Sequence, residues 1–513
     1  MPVAPPRRFP GCAAGRSGFD AVLLRLLAWL PICLSTWVVP GLTACDAMAQ
    51  PLPAEVALAL QRAKLPLDAV AMLVVDAQGG SPARLSHRAT VAMNPASVMK
   101  LVTTFAALDL LGPAFVWTTP VYIDGSVRDG TLFGNLVIKG QGDPKLVVER
   151  LWMLLRRVQG LGIRSIRGDI ILDNSAFALA ESDPGRFDGE ALRPYNATPD
   201  ALLLNYKSLV MRFVPDRSAN AALVQAEPPL AGVTVQPSVA LSGGDCSDYR
   251  GSLRADFSDP LRIRFSGSYP ASCLERVWAV AYAEPRSYAA RAVEGLWLAM
   301  GGKLIGGVRS GRANPVAVPA FAFESPTLAE TVRDINKFSN NVMAQQLFLT
   351  LSLSAPAPAA GRAPPPVAAD GAPVQVATLE ASRDVLRRWW QERLGGDDAP
   401  ILDNASGLSR DERISAQALA RLLQTAYRSS LMPELMSSLP IAGVDGTLRR
   451  QRSRASGSAH LKTGSLRDVV SIAGYVHAAS GKRYVMVAMV NHANAEAARP
   501  AFDALLEWVL REG

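Results

Sequence analysis

Ser97-Val98-Met99-Lys100, Ser339-Asn340-Asn341 and Lys462-Thr463-Gly464 are three short polar motifs spread over most of a 513-residue chain. Positions i and i+3 share one face of a helix, so the Lys100 amine can sit against the Ser97 hydroxyl. A Ser hydroxyl is a poor nucleophile until a base takes its proton. Lys serves as that base only when burial or a cationic neighbour lowers its pKa. A hydroxyl and an amide two residues apart, at Ser339 and Asn341, can relay a proton and hold a carbonyl. A Lys and a Thr hydroxyl on an edge strand can dock a carboxylate, and Gly464 lets a ligand backbone approach. Singly, each motif also reads as a solvated helix start, a cap or a β-turn. If they serve one site, a segment near the N-terminus must meet one near the C-terminus. A single sheet with terminal helices around it brings such segments together.

The periodicity agrees with that topology. Ala54 to Ala63 reads as a helix and Ala69 to Val75 as a strand. Asn94-Pro95-Ala96-Ser97 opens an apolar helical pattern that runs from Val98 to Leu110, with Pro95 suited to a helix start and Gly112-Pro113 ending it. From about Val116 to Val280, short β-rich runs such as Leu136-Val137-Ile138 and Ile170-Ile171-Leu172 alternate with Gly and Asp turns. One helix, Lys145 to Gln159, interrupts them. Helical patterns return at Ser287 to Met300, Thr327 to Leu351, Leu379 to Leu394 and Ser415 to Tyr427. Strand, strand and helix close the chain at Val469 to Val476, Tyr484 to Val490 and Ala497 to Arg511. The expected organisation is an α/β (α+β) domain, an antiparallel sheet flanked by helices, made of residues 50–115 and 282–513. A β-rich accessory module, residues 116–281, is inserted between the first two motifs, and residues 352–373 are a flexible Pro/Ala-rich loop.

A length of 513 residues favours more than one domain. The formal charge of +8 is too modest for a nucleic-acid footprint. Only nine of the 53 basic residues are Lys, so a Lys inside a motif carries weight. Arg7, Arg8, Arg16 and Arg25 precede an apolar run from Leu26 to about Ala44, and Ala47-Met48-Ala49 forms an A-x-A cleavage pattern. Residues 1–49 therefore read as an export signal to the periplasm. Leu42-Thr43-Ala44-Cys45 also resembles a lipobox, in which Cys45 would be lipidated. The same run is almost long enough to remain as an anchor, so peripheral membrane association stays open. Cys246 and Cys273 are the two cysteines left after that leader. In an oxidising compartment an even pair is expected to bond, and a loop of about 28 residues would contribute roughly 3–4 kcal/mol in the chain-entropy model. Two separate buried thiols are the alternative. His87, His460, His477 and His492 have no metal-ligand spacing. No G-x-S-x-G elbow exists, and Gly140-Gln141-Gly142 lacks the third Gly of a dinucleotide loop.

The order S-x-x-K, S-x-N, K-T-G is that of serine penicillin-binding proteins and class A β-lactamases. The chain resembles the class C penicillin-binding proteins of the penicillin-binding protein 4 type over nearly its whole mature length. The specific pieces are Asp403-Asn404-Ala405-Ser406-Gly407-Leu408-Ser409-Arg410, Gly443-Val444-Asp445-Gly446-Thr447-Leu448 and Lys462-Thr463-Gly464-Ser465-Leu466. The long insert separates the chain from class A β-lactamases. The resemblance implies a β-lactamase/transpeptidase-like fold and a D-alanyl-D-alanine carboxypeptidase/endopeptidase that acts on peptidoglycan peptides and diaminopimelate cross-links, is inhibited by β-lactams and uses no cofactor or metal. A non-catalytic wall-binding protein, or a β-lactamase or esterase of the same superfamily, is the alternative. The resemblance further implies Ser97 as nucleophile, Lys100 as base, Ser339 as proton relay and Asn341 on the acyl side. Lys462 and Thr463 would bind the terminal carboxylate beside Gly464, and the N–H groups of Ser97 and Ser465 would form an oxyanion hole. Arg410 and Asp173 would contact the diaminopimelate side chain. Arg467 stands where an amide is expected.

Overall fold

A computed structural model describes residues 51–354 and 376–512. The export signal, Cys45 and most of the Pro/Ala-rich segment lie outside the described residues; Ser352 to Ser354 end a helix. The sheet that carries the third motif has five antiparallel strands. Their order is Leu85–His87, Val70–Asp76, Arg483–Asn491, Val469–His477, Ala459–Leu466. The first long strand of the chain thus pairs with the last, Val70 opposite Val490 and Asp76 opposite Tyr484.

Both faces of this sheet are apolar because both are covered, as strict alternation along each strand requires. Met72, Val74, Ile472, Met486 and Ala488 point toward the terminal helices Ala54–Arg62 and Arg499–Glu512, meeting Val56, Leu60, Leu505 and Leu506. Leu73, Ala473, Tyr475, Val485, Val487 and Met489 point the other way. There they pack on the helices Lys100–Leu111, Asn341–Ser354 and Ala416–Tyr427 through Phe105, Phe348 and Leu419. The Lys100–Leu111 helix is buried along its first nine residues, so its N-terminal end is fixed by core packing.

The inserted region builds on separate sheets. Val116–Arg128 and Thr131–Lys139 pair antiparallel. The Val148–Gly160 helix then carries the chain to Ser165–Ile166 and Ile170–Asp173, which run parallel to Thr131–Lys139. A second sheet includes Ser208–Asp216, Ala221–Glu227, Ser238–Ser242 and Arg276–Ala281. The packing of this region continues past Tyr282: Tyr288, Val293 and Trp297 join its core, as do Phe321 and Phe323 on a strand paired to Val116–Arg128. Packing changes over near Thr327: the Leu328–Phe338 helix, which begins with a capping box between Thr327 and Glu330, belongs to the same core as the Lys100–Leu111 helix. Among the described residues no helix is long and apolar enough to cross a membrane.

Cys246 and Cys273 are bonded across a sequence separation of 27, Cys273 buried in the insert's core and Cys246 half-buried against it. Replacing both by Ser should lower unfolding stability by roughly 3–4 kcal/mol. Urea denaturation read by intrinsic fluorescence would measure the loss, and the rate of Ser97 modification by penicillin should stay unchanged.

Candidate active site

The first motif does not start as a regular helix. Ala96–Met99 is a 3-10 turn, and the α-helix begins at Lys100. Ala96 has φ 46°, a left-handed conformation unfavourable for a residue with a Cβ. Neighbouring groups hold it there. Asn94 accepts from the Ala96 N–H at 2.9 Å and donates to Ser409 O at 2.9 Å. Asn491, on the Arg483–Asn491 strand, exchanges two further bonds with the Asn94 backbone. Two glycines press directly on the turn. A Cβ on Gly407 (φ +79°) would stand 2.0 Å from Ala96 O and 2.6 Å from Ser97 N, and one on Gly464 would stand 2.6 Å from Pro95 O and 2.9 Å from Ser97 N. The Ser97 amide is therefore wedged between a loop and an edge strand that approach without side chains.

Lys100 has no exposed surface. Its Nζ donates to Ser97 Oγ at 2.9 Å, to Asn341 Oδ1 at 2.6 Å and to the Ser406 carbonyl. Burial pushes its pKa well below the usual lysine value; the nearby Lys462 charge pushes the same way and the Glu412 carboxylate opposes. Lys462 is equally buried. Its Nζ donates to Ser339 Oγ at 2.9 Å and to Thr463 O at 2.6 Å, and burial brings its pKa down to about 7. Each motif serine thus has its own lysine.

Ser339 interrupts what the periodicity reads as one helix. Leu328–Phe338 ends with Ser339 in the left-handed region, φ 57° and ψ 38°. Asn340 then caps the next helix through Met343 N–H at 3.0 Å. The break turns Ser339 and Asn341 toward the two lysines. Buried Lys337 anchors it, donating to Leu439 O and to Asp445 Oδ2, both at 2.6 Å.

Glu412, which nothing in the sequence singles out, organises the loop opposite. It is fully buried. One carboxylate oxygen accepts from the N–H groups of Asp403, Asn404 and Ala405 at 3.2, 3.1 and 2.6 Å, and the other accepts from Gly407 N–H at 2.9 Å. Burial raises its pKa to about 7 despite those donors. This loop supplies both the Ser406 carbonyl on Lys100 and Gly407 against Ser97.

Ser97, Ser339 and Asn341 open into a cleft of about 800 Å³. Phe338, Leu408, Arg410, Ser465, Leu466 and Arg467 line it from one side, and Arg186, Phe187, Asp188, Gly189 and Tyr195 of the insert close the other. The Arg410 guanidinium lies 4.9 Å from the centre of the Phe187 ring. Thr463 adjoins the site, 2.8 Å from Thr447 Oγ1. Asp173 is not brought here, in contrast to its expected role. It is buried in the insert's sheet, its two oxygens taken by Ser175 and Ala313 N–H groups at 2.9 Å each. The insert's carboxylate at the cleft is Asp188, which accepts from Tyr195 Oη at 2.9 Å and Asn196 Nδ2 at 2.7 Å. Sequence reasoning missed Asp188, Phe187 and Tyr195, which lie in irregular backbone with no motif.

A sequence model of the D-Ala-D-Ala carboxypeptidase 3 (S13) family matches residues 52–511. The chain is 25% identical over 408 residues to the D-alanyl-D-alanine carboxypeptidase DacB of Haemophilus influenzae, covering 78% of this chain and 80% of that one. It is 27% identical over 409 residues to a D-alanyl-D-alanine carboxypeptidase of an Actinomadura species, covering 76% and 71%. The crystal structure of penicillin binding protein 4 from Haemophilus influenzae superposes with a TM-score of 0.67 at 21% identity, over 88% of this chain and 99% of that one.

Glu412→Gln would turn an amide NH2 toward one of the N–H groups the carboxylate now accepts from. The misfit should cost about 2 kcal/mol of stability and slow acylation of Ser97 at least about tenfold as the Ser406 carbonyl shifts. Stopped-flow acylation together with a thermal melt would register both effects.

Proposed function

Because the chain belongs to the D-Ala-D-Ala carboxypeptidase 3 (S13) family, we propose that its cleft hydrolyses the bond after a D-Ala carbonyl in cell-wall peptides through an acyl-enzyme on Ser97. Membership makes the chain a serine-type carboxypeptidase, a hydrolase acting on peptidoglycan. The roles of the individual residues are our reading. The observation that carries it is the buried Lys100 amine, 2.9 Å from Ser97 Oγ and shifted by burial toward its neutral form.

Neutral Lys100 takes the proton of Ser97 as Oγ attacks the carbonyl carbon of the penultimate D-Ala. The carbonyl oxygen becomes an oxyanion, stabilised by the N–H groups of Ser97 and Ser465; such a donor is worth about 10²–10³ in rate. The tetrahedral intermediate collapses with cleavage of the C–N bond. Ser339, hydrogen-bonded to Lys462, relays the proton taken up by Lys100 to the leaving amine, which leaves Lys100 neutral again, and Asn341 holds the acyl side. Lys462 and Thr463 bind the carboxylate next to that amine. Water, deprotonated by Lys100, then attacks the ester and releases Ser97. A β-lactam carries the same carbonyl and carboxylate but keeps its amine tethered after ring opening, so it would acylate Ser97 and leave slowly.

The acyl side of this reading would run past Arg410, stacked on Phe187, and Asp188, with a diaminopimelate side chain between them. The leader in residues 1–49 supports export to the cell-wall compartment. The division into a catalytic body and an inserted module belongs to the same reading, with the insert closing the cleft.

A fluorescent penicillin should modify the wild-type protein, with the adduct on the tryptic peptide containing Ser97. Ser97→Ala should remove labelling without altering the circular dichroism or melting temperature. Residual labelling of that variant would sink the nucleophile assignment.

The two lysines also fix a pH profile. Lys100 must be neutral and Lys462 cationic, so kcat/KM should rise as Lys100 loses its proton. It should then fall as pH climbs through about 7, where Lys462 loses its own. Lys462→Arg keeps a permanent charge, so its residual activity should lack the descending limb. A wild-type profile still rising at pH 9 would mean that Lys462 works neutral.

A further inference from the structure

Gly443-Val444-Asp445-Gly446-Thr447-Leu448 is among the most specific pieces of the sequence, yet none of its side chains has a part in the proposed reaction. The loop is built to double back. Residues 440–442 run along the edge strand, where Pro440 O accepts from Leu461 N–H and Ala442 N–H donates to Ala459 O, each at 2.9 Å. That pairing carries the chain away from Lys462. The return is made at Gly446, whose φ of 56° suits a glycine. A Cβ there would stand 2.6 Å from Lys337 O and 3.2 Å from the Pro440 side chain, so the backbone folds back closely only without one. Asp445 fastens the loop: one carboxylate oxygen accepts from Ile441 N–H at 2.8 Å and the other from Lys337 Nζ at 2.6 Å. Lys337 stands two residues before Ser339, so the loop ties the second motif to the third.

The side chain delivered by this return is Thr447. It is exposed, and its Oγ1 lies 2.8 Å from Oγ1 of Thr463. Among the described residues the Thr447 hydroxyl has no other partner. As an ammonium Lys462 has three N–H groups, and two of them are already donated to Ser339 Oγ and Thr463 O. One N–H and the Thr463 hydroxyl are then left for a ligand, whereas an ionised carboxylate accepts at both oxygens. Bonded to each other, the two threonine hydroxyls commit one hydrogen and leave one free; turned outward, they present both. Asp445 is neutralised by Lys337, so the loop's own carboxylate does not repel an anion at this point.

We propose that Thr447 is a substrate-binding residue, its hydroxyl joining that of Thr463 on the carboxylate beside the scissile bond. Part of the selectivity for a free carboxylate then resides in the 443–448 loop. The inference rests on the acyl-enzyme reading, which puts that carboxylate at Lys462 and Thr463. A hydrogen bond to an ionised acceptor is roughly twice as strong as one to a neutral acceptor, and this difference separates binding of the carboxylate from mere support of the site.

The probes are penicillin and its methyl ester, which offer Ser97 the same β-lactam carbonyl with and without the negative charge. Intact-mass spectrometry follows the adduct on wild type, Thr447→Val and Thr447→Ser. Thr447→Val keeps the shape of the side chain and removes its hydroxyl. It should slow acylation by penicillin about tenfold and acylation by the ester no more than about threefold. Thr447→Ser keeps the hydroxyl and should stay within about twofold of wild type on both probes. Melting temperatures should be unchanged, as expected for an exposed position. Equal losses on the two probes would overturn the proposal, because a distorted site slows both alike. No loss on penicillin in Thr447→Val would overturn it as well. So would an equal loss in Thr447→Ser, which would assign the effect to the methyl group. Failure of the wild-type protein to form a Ser97 adduct with penicillin would instead overturn the acyl-enzyme reading, and this inference with it.

Discussion

Two lysine amines with no exposed surface face one cleft, and the difficulty of charging both organises what surrounds them. Taking an ammonium out of water costs several kcal/mol even after relaxation, and a second positive charge nearby adds to it. Lys100 and Lys462 lack a direct carboxylate partner; they are held by hydroxyls, an amide oxygen and two backbone carbonyls. Such acceptors stabilise a proton without fixing it, as the proton transfer proposed for Lys100 would require. Glu412 supplies the counterbalance from one layer out. Its carboxylate touches backbone N–H groups, not Lys100, yet it raises the Lys100 pKa against burial. Four of the nine lysines in the chain are buried, while the arginines dominate the surface. Lys is thus over-represented among the buried cations of the chain.

The sheet turns this electrostatic problem into a geometric one. Because the first long strand pairs with the last, the turn holding Ser97 comes to lie against the open edge of Ala459–Leu466. Residues 440–442 pair with that edge at residues 459–461, and the part beyond is where an extended peptide could add. Gly464 and Gly407 let it and the Ser406 loop close on the Ser97 amide to distances no side chain would permit. Ala96 is forced into a left-handed conformation as a result, with Asn94 and Asn491 holding it. Strain at the residue before Ser97 is maintained by packing several residues away.

Much of this was legible in the sequence, for identifiable reasons. The catalytic sheet and terminal helices carry strong periodicity, because both faces of the sheet are buried. The motif residues Ser97, Lys100, Ser339, Asn341 and Lys462 stand together in the structure because the topology their order demands is the one the apolar pattern builds. The break at Ser339 was not legible as a break. No Gly or Pro marks it, and the apolar residues on either side continue nearly in phase; only the cap preference of Ser339 and Asn340 hinted at it. Glu412 sits among Arg410, Asp411 and Arg413, and nothing local distinguishes a buried carboxylate from a solvated one. Asp173 was read as a ligand contact, yet its strand runs through the insert's core and backbone N–H groups saturate it. The apolar cluster of the inserted region runs on past Tyr282 to Phe323, which the sequence does not reveal because the helix after Tyr282 has the same apolar periodicity whichever core it packs on.

The insert is therefore more than an appendage to a self-sufficient site. Phe187, Asp188 and Tyr195 face the motif residues across the cleft, and Asn341 donates to the Tyr195 carbonyl at 3.4 Å. Lys145 pairs with Asp334 on the helix that leads to Ser339, coupling the insert to the backbone break that aims the second motif. A wall made of irregular loops can change its side chains without disturbing the sheets beneath it, whereas the edge strand and the Ser97 turn cannot change without losing the amide geometry. In the proposed mechanism the bond-making groups all come from the body, while the acyl side would be read by the insert and the Arg410 loop together. The stacking of Arg410 on Phe187 is where the two meet. Specificity on the acyl side can then drift through the insert while the lysine pair and its acceptors stay fixed.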